Sequence, residues 1–108
     1  MTRNVDNIVE ERGSRYGDFA DQALLIERLN GLQHAEMVGN PQYDELDEKE
    51  QAIVSYTLTM VNMKIARIVQ GDPTYDDNWV DIEGYVKRAR EKLEEHAEMR
   101  NNKLGAAS

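Results

Sequence analysis

The chain has no cysteine, which removes disulfides, thiolate metal sites and cysteine nucleophiles together and makes a reducing cytoplasm the expected compartment. Cations are also scarce, with 13 Lys and Arg against 21 Asp and Glu and a net charge of -8 at pH 7. Binding a phosphate backbone depends on clustered Lys and Arg, so nucleic acid is not the expected partner. No stretch approaches the ~18 consecutive apolar residues of a membrane span, and Met1-Thr2-Arg3-Asn4 does not open a signal peptide. A membrane partner is therefore not expected either. Two prolines and seven glycines leave little punctuation, and no segment alternates apolar and polar residues long enough for a strand.

What remains is a 108-residue chain, 40% apolar and 31% charged, of a size for one domain. The helical periodicities predict an all-α fold: a small bundle of about four helices spanning residues 1–98, with residues 99–108 as a frayed tail. Asn4 caps a short first helix carrying Val5, Ile8 and Val9. A turn follows through Arg12-Gly13-Ser14-Arg15-Tyr16-Gly17. Asp18 caps a second helix with rows Phe19, Ala23, Ile26 and Leu25, Leu29, Leu32, which pauses or kinks near Asn30-Gly31. Gly39-Asn40-Pro41 ends it, and the acidic run Asp44 to Glu50 reads as a solvated linker. Within that run Asp47 and Glu50 have capping-box spacing.

The third helix, Glu48 to Gln70, is stopped by Gly71-Asp72-Pro73. Wound at ~100° per residue, its apolar residues leave a narrow polar strip of Ser55, Thr59, Asn62 and Gln70. It reads as a central, mostly buried helix. Thr74 with Asp77 is a second cap signature, opening a fourth helix to about Glu95 with Trp79, Ile82, Val86, Ala89 and Leu93 on one face.

Two residues break the pattern. Lys64 falls between Met60 and Ile68 in the apolar arc, and Arg67 falls beside Met60. A charge buried there costs several kcal/mol unless paired, and a favourable helix-dipole contribution of about 0.3–1 kcal/mol does not offset that. The tight connection makes the third and fourth helices antiparallel neighbours, which brings Asp76, Asp77 and Asp81 toward the two cations, with Tyr85 on the border. Gly84 is expected to let the helices approach closely. Two readings follow. One is a salt-bridge network that fixes the hairpin. The other is a polar pocket in which Lys64 and Arg67 hold a phosphate or carboxylate, Asp77 and Asp81 orient them, and Arg15, Tyr16 and Tyr85 line the mouth. His34 and His96 have no partner at metal-ligand spacing and read as surface residues. Arg88, Arg90 and Lys92 with Glu91, Glu94, Glu95 and Glu98 read as a solvated face of ion pairs.

The segment Glu11-Arg12-Gly13-Ser14-Arg15-Tyr16-Gly17-Asp18-Phe19 and the segment from Lys64-Ile65-Ala66-Arg67-Ile68 through Gly71-Asp72-Pro73 to Asp77-Asn78-Trp79-Val80-Asp81-Ile82-Glu83-Gly84-Tyr85 together resemble a small family of unknown function encoded mainly by bacteriophages and prophages. Glu83 stands where that pattern has a small residue. The resemblance implies no activity. It implies a bacterial host cytoplasm and draws attention to the same Lys64, Arg67, Asp77, Asp81 and Tyr85.

A more distant similarity is to all-α nucleoside-triphosphate pyrophosphohydrolases, whose facing helices carry ExxE and ExxD carboxylates for Mg²⁺. This sequence has no ExxD, and its third helix faces Asp77 and Asp81 with two cations. The leading expectation is a non-enzymatic accessory protein without a cofactor. Its expected partners are a host or phage protein or a small nucleotide-like anion, and it is expected to form a homo-oligomer. The alternative is a divergent pyrophosphohydrolase holding Mg²⁺ on Asp77, Asp81 and Glu83.

Overall fold

The computed structural model describes residues 17–107, with side chains through Lys103. Four helices follow one another: α1 (Phe19–Met37), α2 (Pro41–Asp44), α3 (Glu48–Gln70) and α4 (Asp76–Ala107). No strand occurs among the described residues. The first predicted helix, with Val5, Ile8 and Val9, lies outside them.

Helix starts follow local chemistry. The Asp18 carboxylate accepts from the Asp21 N–H and opens α1, which runs without a break through Asn30-Gly31. Gly39, at φ +82°, takes the left-handed turn beyond α1 that a side chain would resist. Asn40 then caps α2, a one-turn helix inside the expected linker, started by Pro41 at its preferred first position. Asp47 and Glu50 form the predicted capping box at the start of α3. The Thr74 cap is corrected. Its hydroxyl and N–H both donate to Asp72 Oδ1, so Asp72 organises the α3–α4 turn.

The C-terminal boundary is also corrected. Instead of ending at about Glu95, α4 continues through Ala107. No Pro interrupts it, Lys92 bonds Glu95, and Arg100 is anchored on Glu50 of α3.

α3 packs between α1 and α4. Gln70 reaches the Asp21 carbonyl while Asn62 meets Asn30 and Gln33, so α1 runs antiparallel to α3. Lys64 meets Asp81 while Glu50 meets Arg100, so α4 is antiparallel too. Asn62 and Lys64 are two residues apart, about 200° around the helix, which places the two neighbours on nearly opposite sides of α3.

One expectation for α3 is corrected here. The polar strip of α3 is its α1 contact: Asn62 is 1% exposed, and its amide donates to both Asn30 Oδ1 and Gln33 Oε1 while accepting from Gln33 Nε2. With polar sides facing both neighbours, the aliphatic residues are left on the edges. α3 is therefore central but not mostly buried. Among the described residues Ala66 is the one fully buried apolar side chain.

Candidate functional site

Lys64 and Asp81 meet as expected. Lys64 Nζ lies 2.7 Å from Asp81 Oδ2, with the lysine side chain 10% exposed and the aspartate 42%. The pairing follows from the antiparallel hairpin, which sets one turn of α3 against one turn of α4. The ammonium has three N–H groups, and this carboxylate accepts one of them.

One turn before Asp81 on α4 stands Asn78, 1% exposed, whose Nδ2 has no hydrogen-bond partner. A buried amide without a partner costs about 1–3 kcal/mol and calls for a physical reason. Asn78 lies on the α3-facing side of α4, at i−3 from Asp81. The seam between the helices therefore holds a donor without an acceptor, the Asn78 amide.

The other expected members are placed differently. Arg67 and Tyr85 are half-buried. Asp77 is exposed and accepts a hydrogen bond from the Tyr75 hydroxyl at 3.0 Å, so it does not join Lys64. Trp79, expected in the apolar face, donates from Nε1 to the Pro73 carbonyl and keeps half its surface in water. Gly84 is exposed, and a Cβ there would meet nothing within 4 Å, so it is not the contact that brings α3 and α4 together. The close approach is at Gly17, where a Cβ would lie 2.8 Å from the Gln70 carbonyl oxygen. Arg15 and Tyr16 lie outside the described residues.

The magnesium alternative needs Asp77, Asp81 and Glu83 to converge. Asp77 bonds Tyr75, Asp81 bonds Lys64, and Glu83 is exposed about 200° around α4 from Asp81. Among the described residues the acid–histidine grouping with its ligand atoms within 4.8 Å is Asp47, Glu50 and His96, at the opposite end of α3. His96 is thus no isolated surface residue: its Nδ1 lies 3.8 Å from Asp47 Oδ2.

The buried Glu50 carboxylate accepts from the Asp47 N–H and from Arg100, while Asp47 accepts the Glu50 N–H. That N–H, with a smaller contribution from the His96 charge, holds the Asp47 carboxyl below its ordinary value. The group is saturated by its own members and acts as a latch between the start of α3 and the late turns of α4. Sequence spacing could not show it, because His96 and Arg100 lie about 50 residues from their acids. The reading of a solvated charged face on α4 holds, with Lys87–Glu91, Arg90–Glu94 and Lys92–Glu95 paired.

Helical architecture and a cation–acid seam define the class only as a small all-α domain. The chain belongs to the family described as Domain of unknown function (DUF6378), which matches residues 1–92. No curated protein and no solved structure matches it.

Proposed function

We propose that the protein acts by binding rather than by catalysis, and that the α3–α4 seam around Lys64 receives an acidic group. That group is the phosphate or carboxylate of a small nucleotide-like ligand, or of a host or phage protein, in the cytoplasm of a bacterial cell carrying the phage or prophage. The observation that carries this reading is the donor without an acceptor. Asn78 Nδ2 is buried without an acceptor one turn from the Lys64–Asp81 pair, and among the described residues Asp81 is the carboxylate paired with that lysine. An anion satisfies such a donor, whereas Mg²⁺ meets repulsion from Lys64. Arg67 and Tyr85 are half-buried on the same two helices, and the partly exposed Asp81 turns toward water as the anion takes its place.

The test is thermal unfolding with inorganic phosphate, pyrophosphate and nucleoside triphosphates, each without metal, alongside Mg²⁺ and Mn²⁺ alone. Binding predicts stabilisation by one of the anions without metal, lost in Lys64→Met and weakened in Asn78→Leu. Stabilisation by metal alone, abolished in Asp81→Ala, would establish the hydrolase reading instead. Indifference to every anion would reduce the seam to a structural clamp.

A further inference from the structure

α1 and α4 lie on nearly opposite sides of α3, so among the described long helices α3 has two edges that neither neighbour covers. Val54, Leu58, Val61, Ile65 and Val69 share one of them at helical spacing, with no charged residue among them. The handedness of antiparallel helices determines what flanks that edge. With Asn30 and Gln33 facing α3, the side of α1 turned the same way carries Leu25, Leu29 and Leu32. With Asn78 and Asp81 facing α3, the matching side of α4 carries Trp79, Val86, Leu93 and Ala97. None of these side chains is buried, and Leu32, Val69, Trp79 and Val86 keep about half or more of their surface in water. The opposite edge, with Tyr56 and Met63, has Lys49 beside it and the charged Glu27 and Arg88 on its neighbours.

We infer that this apolar face is the interface of a homodimer in which the α3 edges of two copies pack against each other about a twofold axis. Area supports a second copy as the occupant. From Val54 to Val69, α3 rises ~23 Å, and three helices at spacings of ~9 Å give a footprint of roughly 450 Å². Side-chain relief raises the accessible surface above that footprint, to about 600 Å² per protomer, the lower end of stable interfaces.

Charge supports the same occupant. The five α3 residues of this edge carry no charge, so two copies meet there without burying like charges, although the net charge of -8 on each copy opposes their approach. Folding gives a further reason. A protomer whose described residues bury one apolar side chain needs its cover throughout its lifetime, and its own copy is always present where it is made.

The experiment is sedimentation equilibrium of the full chain at 1–100 µM, read with the emission of the single Trp79. A dimer of twice 12.4 kDa is expected, with Trp79 emission shifting red as dilution dissociates it. Leu32→Asp and Val86→Asp sit at positions exposed in the protomer, so they leave its packing intact and should raise the dissociation constant at least a hundredfold. Tyr56→Asp, on the opposite edge, should not. A 12.4 kDa monomer at 100 µM overturns the inference, whether the face is then covered by residues 1–16 or binds lipid vesicles. A dimer broken by Tyr56→Asp and unaffected by Leu32→Asp overturns it equally. Neither result bears on the anion reading of the α3–α4 seam, which lies between the helices of one chain.

Discussion

Removing either member of the Lys64–Asp81 pair should have unequal consequences. In Asp81→Ala the lysine side chain stays nine-tenths buried and loses the acceptor it has among the described residues. Stranding a buried charge costs about 3–5 kcal/mol. Asp81 is nearly half exposed, so water already screens the pair and reaches the gap, which brings the expected loss down to about 2–3 kcal/mol. In Lys64→Met the desolvated cation is replaced by an unbranched apolar chain between Met60 and Ile68, and Asp81, 42% exposed, keeps its access to water. The expected change is within about 1 kcal/mol of zero, of either sign. The double variant Lys64→Met/Asp81→Ala should match Lys64→Met, because the stranded charge is gone. Urea unfolding followed by circular dichroism, at one fixed protein concentration and without phosphate, measures all three. Equal losses in the two single variants, or a Lys64→Met chain that fails to fold, would refute the reasoning.

Asn62→Leu should destabilise by about 2–4 kcal/mol in the same assay, since it strands Asn30 Oδ1 and both polar atoms of the Gln33 amide between α1 and α3. Gly17→Ala should cost about 1–3 kcal/mol, combining the strain of φ +90° with a Cβ 2.8 Å from the Gln70 carbonyl. Asp47 and Asp72 are both held below the ordinary 3.8, chiefly by the Glu50 and Thr74 backbone N–H groups respectively. A carboxyl lowered by folding adds stability that is complete above its unfolded value and disappears as the pH falls through its folded one. Urea midpoints should therefore fall below about pH 4, and Asp47→Asn should lower the neutral plateau while flattening that acid slope.

Sequence spacing carried the helices where their ends are local. Asp18, the Asp47/Glu50 box and the Gly71-Asp72-Pro73 stop each act within a few residues. It also carried the Lys64–Asp81 contact, because a charge in an apolar arc must find a partner and the short turn leaves α4 to supply it. Long-range polar pairs were out of reach. Asn62 was legible as polar but not as the centre of an amide network with α1, and nothing near Glu50 announces Arg100. Asp77 was drawn toward the cations by its position on α4, but Tyr75 lies closer and captures it. Gly84 and Gly17 exchange the expected roles for a comparable reason: which glycine meets a neighbour depends on how the helices cross, and composition does not encode that. The apolar face escaped notice because a wheel of α3 alone does not show which of its sides the neighbours occupy.

The central claim is that one chain does not complete its own core. The most direct measurement is the thermal unfolding midpoint across a hundredfold range of protein concentration. A folded state that exists as a dimer gains about 1.4 kcal/mol of apparent stability per tenfold increase, so the midpoint should climb steadily with concentration. A midpoint that stays fixed over that range would mean the chain is stable by itself and would contradict the claim.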